Sequence, residues 1–315
     1  MSPKKIFAQL NILSQCRQYG VSLWQCPQFL FVVMGMIIII STLAVYAVGA
    51  HYIEDPGMVA CIVLLVALVL FILSFTITRS FERLAEASRM KSEFVSIVSH
   101  QLRSPLSNLR WAIELLMSGR LGRIEDKQTE YFRILKENIS RMGELISDLL
   151  TVSRIDTATL PLRKQGFSLE DLIKKLVSEF DLFAKASNVV IKFEPPKNLP
   201  KVFGDPSQVT LVVENLIDNA IRYVKEKGVV EIGLGIRRNN VYCEVKDSGV
   251  GIPKEDQRYI FQKFFRSENI LRYQTQGSGL GLFIAKSIIN KSGGKMGFKS
   301  EENKGSTFWF TLPIK

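Results

Sequence analysis

His100 sits in the run Phe94-Val-Ser-Ile-Val-Ser-His-Gln-Leu-Arg-Ser-Pro-Leu106, with Arg103 three residues on and Pro105 five residues on. An imidazole can be neutral and nucleophilic near neutral pH, so a histidine presented to water on a helix can accept a group in transfer. A histidine alone fits a solvated or structural position equally well. Its setting says more. Phe94, Ile97, Val98, Leu102, Leu106 and Leu109 recur at three- and four-residue steps, which predicts a helix with one buried stripe and His100 toward the edge of that stripe. Pro105 removes a backbone hydrogen bond at a cost of about 3 kcal/mol. A bend beside the candidate nucleophile is the expected result.

A second group of residues lies far downstream. In Glu214-Asn-Leu-Ile-Asp-Asn219-Ala-Ile-Arg-Tyr223, Asn215 and Asn219 are four apart, so both amides leave one helix face. An amide oxygen is a hard ligand suited to Mg²⁺, and Arg222 on the adjoining turn can meet phosphate. Asp247-Ser-Gly249-Val-Gly251 ends a strand with an acid able to accept the exocyclic amine of adenine, and its glycines let backbone approach the ring. Gly277-Ser-Gly279-Leu280-Gly281 opens an apolar helix, Leu282 to Ile289, where backbone N–H groups can hold phosphate oxygens. Gly305-Ser-Thr307-Phe-Trp pairs a glycine turn with a closing strand. Singly, each has a plainer reading: an amide pair capping other helices, or a generic turn. The Gly-x-Gly-x-Gly spacing, preceded by a long loop, is not the dinucleotide fingerprint.

The elements that must position these groups follow from the hydropathy pattern. The chain has 315 residues, 47% of them hydrophobic, with a mean hydropathy of +0.13. Phe29–Ala50 and Met58–Ile77 carry no charge, and each is long enough to cross about 30 Å of hydrocarbon as a helix. A cleaved signal peptide does not fit so long a run followed at once by a second. Lys4, Lys5 and Arg17 precede the spans, Arg79, Arg83, Arg89 and Lys91 follow them, and the connecting loop holds Glu54 and Asp55. The positive-inside rule then places both termini in the cytoplasm. Ile6, Phe7, Leu10 and Leu13 at helical spacing either lie along the inner membrane surface or belong to a disordered tail.

Helix is expected to continue through Arg79–Ser92, with a seam of Phe81, Leu84, Ala87 and Ser88, and to stop after Met117 at Ser118–Gly122. From Glu125 to Asp156, Leu135, Met142 and Leu149 repeat every seven residues, a coiled-coil seam that two antiparallel helices alone cannot cover. Two chains pairing as a four-helix bundle would cover it. The pattern then turns to mixed α/β, with helices at 169–186 and 206–224, strands at 189–194, 229–237 and 240–247, and a closing strand through Leu312. The expected division is an N-terminal segment (1–28), a membrane hairpin (29–78), a helical linker (79–92), a dimerisation hairpin (93–156), a linker (157–166) and an α/β domain (167–315).

Ser99-His-Gln-Leu-Arg-Ser-Pro-Leu106 resembles the phospho-acceptor box of bacterial two-component sensor histidine kinases, usually Ser-His-Glu-Leu-Arg-Thr-Pro-Leu. The order asparagine helix, Asp-x-Gly-x-Gly, Phe261-Gln-Lys-Phe-Phe-Arg266, Gly-x-Gly-x-Gly, Gly-Ser-Thr resembles their catalytic domain, an ATP-binding α/β sandwich shared with gyrase- and Hsp90-type ATPases. The resemblance covers residues 90–315. It implies ATP and Mg²⁺ as cofactors, with Asn219 on the metal, Asn215 beside the triphosphate and Asp247 on adenine. Tyr223, Gly249, Gly251, Leu280 and Thr307 fall in the same motifs. Residues 252–280 would form a mobile lid in which Lys263 and Arg266 approach phosphate and Gly277, Gly279 and Gly281 wrap it. The implied reaction is autophosphorylation of His100, followed by transfer to an aspartate of a separate response regulator, with no receiver domain in this chain.

Two positions depart from the pattern. Gln101 replaces the acid that, by the resemblance, orients the imidazole and accepts its proton; either autophosphorylation loses on the order of 10²-fold or more, or water serves in its place. Ser104 replaces a threonine associated with dephosphorylating the partner, and keeps a hydroxyl there. The competing class is a weakened ATP-binding membrane scaffold, or mainly a phosphatase; intact Asn219, Asp247 and the three glycines argue against a scaffold. The net charge of +11 is not gathered into a basic block with interleaved aromatics, so nucleic acid is not an expected partner. Cys16, Cys26, Cys61 and Cys243 lie too far apart for a zinc site or disulfide framework. The stimulus is left to membrane stress, a peptide reaching the bilayer or a partner membrane protein, because the loop between the spans is too short to fold as a ligand-binding domain.

Overall fold

The computed structural model describes residues 27–122, 124–157, 159–196, 198–267 and 277–314. The expectations for residues 1–26, including Cys16 and Cys26, for the middle of the 252–280 segment and for the Ser88 side chain lie outside the described residues. The chain divides into two compact units, residues 1–101 with 156–159, and residues 102–155 with 160–315.

In the first unit, α1 spans Pro27–Tyr52 and α2 begins at Pro56, its full range being Pro56–Met117. Phe29–Tyr52 and Pro56–Leu84 are long and apolar enough to cross a membrane, with mean hydropathies of 2.6 and 3.2. Proline suits the first position of α2, where its missing N–H would have no partner. Asp55 precedes it and accepts from the Gly57 N–H at 2.8 Å. Where the two helices meet, a Cβ on Gly49 would lie 3.0 Å from Val59 Cγ1, so a bare backbone lets them approach. The hydroxyls of Thr42 and Thr76 donate to the carbonyls of Ile38 and Ile72, each at 2.8 Å. In an apolar surrounding, such bonds remove the cost of an unpaired polar hydrogen.

In the second unit, the end of α2 and α3 (Asp126–Asp156) form a helical hairpin around the turn at Ser118–Gly122. Ile113 and Ile139 are buried, and Lys136 reaches Glu114 across the pair at 3.6 Å. Of the expected seam, Leu135 and Met142 stay in water, as do their neighbours Leu109 and Leu145, while Leu149 is half-buried.

The α/β domain carries β1 (Gln165–Phe167), α4 (Leu169–Ala186), β2 (Val189–Phe193), β3 (Val202–Gly204), α5 (Pro206–Arg222), β4 (Gly228–Arg237), β5 (Asn240–Asp247), α6 (Gly281–Lys291), β6 (Met296–Glu301) and β7 (Gly305–Pro313). Five strands form one sheet in the order β2-β4-β5-β7-β6, and β1 pairs with β3 beside it. Only β2 and β4 run parallel, since β3 and α5 make the crossover between them. The apolar stripes of α4, α5 and α6 bury Ile173, Val213, Ile217 and Ile288 against the inner strand residues Val230, Cys243 and Phe310.

Strands β1, β3 and β6 were not predicted. β1 and β3 are three residues long, too short for an alternation to register, and β6 is an edge strand with the mixed sequence Met-Gly-Phe-Lys-Ser-Glu. The 157–166 stretch is also more than a spacer. Leu160 is buried in the same core as Val152 of α3, and the Arg163 N–H donates to Asp205 Oδ2 at 2.7 Å.

Asp205 caps α5. Its Oδ1 accepts from the Ser207 N–H at 3.0 Å, the Ser207 hydroxyl at 2.7 Å and the Gln208 N–H at 3.4 Å. Burial alone would raise its pKa, but the donors on Ser207, Arg163 and Gln208 outweigh it and hold the carboxyl below its ordinary value. Asp205→Ala is expected to cost the domain about 2 kcal/mol in chemical denaturation. A depressed carboxylate stabilises above its unfolded pKa of about 4, so this difference should shrink as pH falls through the lower folded value. A difference that stays constant down to pH 2 would show that the charge is not what caps the helix.

Candidate functional site

In the first unit, His100 and Gln101 are exposed on α2, directly after Ser99, which is 1% exposed. The imidazole therefore stands in water on a helix whose previous residue is packed away. Ser104, also exposed, is one turn further along the same helix.

The second unit holds a cavity of about 1120 Å³. Its wall gathers Asn215, Asn219, Arg222 and Tyr223 from α5 and the turn after it, Asp247 and Gly251 from the end of β5, Arg266, and Gly277, Gly279 and Gly281 at the start of α6. Three stretches distant in sequence meet there because α5 and α6 pack side by side on the sheet and β5 ends beneath them.

Asn219 Nδ2 donates to Asn215 Oδ1 at 3.1 Å, so the amide pair predicted to share a helix face does so. That bond engages one lone pair of the Asn215 oxygen and turns the Asn219 amide so that its oxygen is a hard donor suited to a cation. A methyl group on Gly281 would collide with the Asn215 side-chain amide, so the first turn of α6 reaches the asparagines only because residue 281 has no side chain. Gly251 combines φ of 67° with a backbone approach to the Glu301 carbonyl that no Cβ could share.

Asp247 is 7% exposed, and its Oδ1 accepts from the backbone N–H groups of Gly249 at 2.9 Å and Ser306 at 3.1 Å. Burial pushes its carboxyl up to about 6, against the downward pull of those donors. Both bonds fall on Oδ1, so a ligand amine would meet Oδ2. Burial likewise raises the Tyr223 hydroxyl. Arg222 reaches the wall with its Nε held by both Asp218 oxygens, at 2.7 and 2.6 Å, and its guanidinium 5.5 Å from the Phe183 ring centroid. Arg266 Nη1 donates to the Gly277 carbonyl at 3.2 Å, tying the cation to the glycine segment.

Four predicted residues lie off this wall. Lys263 stands with its ammonium 4.9 Å from the Phe283 ring centroid. Leu280 is buried in the core, and Gly249 serves as a donor to Asp247. Thr307 lies with Lys246, Lys299 and Lys304 in an adjoining shallow depression, whereas Ser306 borders both that depression and the cavity, because neighbours along β7 point to opposite faces. Ser306 stood beside the chosen Thr307 and could have been found by that alternation. Asp148 of α3 also lines the cavity, and its Oδ2 accepts from the Ser278 hydroxyl at 2.8 Å. Nothing in its sequence neighbourhood marks it.

Residues 204–315 match the family described as histidine kinase-, DNA gyrase B- and HSP90-like ATPase, and residues 90–158 match the His Kinase A (phospho-acceptor) domain. Among similar proteins, the sensor histidine kinase WalK of Bacillus subtilis (strain 168) is 32% identical over 227 residues, covering 71% of this chain and 37% of that protein. The signal transduction histidine-protein kinase BarA of Escherichia coli (strain K12) is 31% identical over 245 residues, covering 74% and 26%. The chain thus spans well under half the length of either relative. A full-length structure of ShkA in complex with AMPPNP shares the fold, with a TM-score of 0.60 and 24% identity over 71% of this chain and 46% of that one.

The Asp247 carboxyl should titrate near pH 6 when followed by carboxyl ¹³C chemical shift. It will be neutral below that pH and ionised above it. A midpoint in the ordinary aspartate range, about 4, would mean that the strand end is wetter than its burial indicates.

Proposed function

The chain belongs to the two-component sensor histidine kinases, and on that premise we propose that it binds ATP in the α/β cavity, phosphorylates its own His100 and passes the phosphoryl group to an aspartate of a separate response regulator. The observation that carries this reading is the convergence of Asn219, Asp247 and the glycines of 277–281 on one wall. Each group suits a different part of the nucleotide. Asp247 Oδ2, ionised above about pH 6, accepts the exocyclic amine of adenine. The glycine backbone at the start of α6 and the guanidinium of Arg266 take phosphate oxygens.

The asparagine pair fits Mg²⁺, since the Asn219 oxygen is a hard donor and Gly281 leaves room beside the Asn215 amide that positions it. The ion, when bound, supplies neutralisation of phosphate charge. His100 would attack through a ring nitrogen: the bond from the γ-phosphorus to the bridging oxygen breaks, a phosphorus–nitrogen bond forms and ADP leaves. The imidazole proton must go to water, because Gln101 offers a carbonyl oxygen and no charge.

Chains of this kind are proposed to act as dimers in a bacterial cell membrane, with the α1–α2 hairpin crossing the bilayer and the α/β domain in the cytoplasm. The exposed seam of Leu109, Leu135, Met142 and Leu145 supports pairing of two hairpins, and Arg79, Arg83, Arg89 and Lys91 after the second span support the orientation. Ser104 is proposed to orient water when the regulator is dephosphorylated.

Full-length protein in detergent, given γ-labelled ATP and Mg²⁺, should acquire acid-labile, alkali-stable label that His100→Ala abolishes. Label that persists in that variant, or nucleotide binding without any label, would overturn the assignment. In the same assay Gln101→Glu should accelerate labelling by about tenfold to 10²-fold, by restoring an acceptor for the imidazole proton. An unchanged or slower rate would remove Gln101 from the account.

A further inference from the structure

The contact between Asp148 and Ser278 joins a helix of the hairpin to the segment that opens α6. The Ser278 hydroxyl donates to Asp148 Oδ2 at 2.8 Å and accepts from the Leu280 N–H at 3.2 Å. Leu280 is the N-cap of α6, an 11-residue helix, and supplies no side-chain cap; its own N–H is taken by the Ser278 hydroxyl, whose proton goes to Asp148. The Ser278 hydroxyl and the Leu280 N–H are donors that a phosphate oxygen would use at such a helix start. A carboxylate and a phosphate present the same chemistry to them: oxygen acceptors with negative charge.

Asp148 is held in this position at a cost. It is half-buried, and burial raises its pKa while the Ser278 hydroxyl only partly offsets that. The acids Glu137 and Glu144 of α3 line the same cavity, so the hairpin presents negative charge to the space assigned to the phosphates. Arg141 of the same helix also lines it, paired with Glu137 at 3.6 Å.

We propose that Asp148 is an internal competitor for the phosphate tail of ATP. The hairpin carboxylate takes the Ser278 hydroxyl and Ser278 takes the Leu280 N–H, two donors that the triphosphate would take, so this docking of α3 and bound ATP exclude one another. Nucleotide binding then does more than load the site: it releases the α/β domain from α3. The proposal rests on the reading of the cavity as the ATP site.

Full-length protein in detergent, with Mg²⁺, separates the possibilities by equilibrium binding of a non-hydrolysable ATP analogue and, in parallel, of adenosine, which lacks the phosphate tail. Asp148→Asn should tighten the triphosphate by about fivefold or more and leave adenosine unchanged. Glu144→Gln removes one charge from the same cavity without touching Ser278, and should tighten the triphosphate by less than half as much as Asp148→Asn does. On a Ser278→Ala background the gain from Asp148→Asn should disappear, as a shared contact requires. Equal tightening by Asp148→Asn and Glu144→Gln, a gain that survives Ser278→Ala, or a parallel change in adenosine affinity would each overturn the competition. Failure of all these proteins to bind either ligand, with far-UV circular dichroism unchanged, would instead strike the reading of the cavity itself.

Discussion

Asp247 is a carboxylate taken out of water at the end of a strand, and much of the α/β domain serves to make that tolerable. An ionised acid buried without donors would neutralise, and here burial moves its titration to about 6, close to the working pH of a cell. Two backbone N–H groups, from Gly249 on one side and Ser306 on the neighbouring strand, supply the compensation. That pairing needs β5 and β7 in register through Lys246 and Thr307, so sheet alignment and charge placement are one requirement. It also needs the chain to turn without side chains at Gly249 and Gly251, where Tyr223 and Glu301 carbonyls press against the backbone. The asparagines and α6 are then brought to the same point by helix packing on the sheet.

A different constraint governs the helical part. In the proposed membrane setting a polar hydrogen needs a partner within its own segment, and Thr42 and Thr76 find one by donating back along the helix, whereas the buried Thr78 hydroxyl has none. Water demands the opposite, a polar surface, and the hairpin does not provide one. Its heptad residues Leu135 and Met142 remain exposed in the single chain, the surface that the proposed pairing of two hairpins would cover. Chemistry sits between these two regimes: His100 stands on a helix that begins in an apolar span and ends in a coiled-coil seam.

Much of this was legible in the sequence. The two uncharged runs and the α/β alternation follow from hydropathy period, and the site motifs from residue type and spacing. What stayed hidden has physical reasons. β1 and β3 are too short to carry a period, and their pairing is set by the linker doubling back on the domain. Thr307 was favoured over Ser306 because the motif was read as a string, whereas strand alternation decides which of the two neighbours faces inward. Arg222 looked free for phosphate, yet Asp218, one turn earlier, already holds it by two oxygens. Asp148 was invisible because its meaning comes entirely from a serine that lies 130 positions away.

The burial of Val152 and Leu160 within the core of the α/β domain has a consequence for how such chains can be cut and recombined. The visible seam in the sequence, the proline- and glycine-bearing stretch after Asp156, is the wrong place to separate the modules. A fragment begun at Phe167 would leave two apolar sockets open and would strip Arg163 from Asp205. The heritable unit therefore starts inside the last turns of α3. Exchanges that preserve function between chains of this kind are expected to cross over within the helix, upstream of the linker.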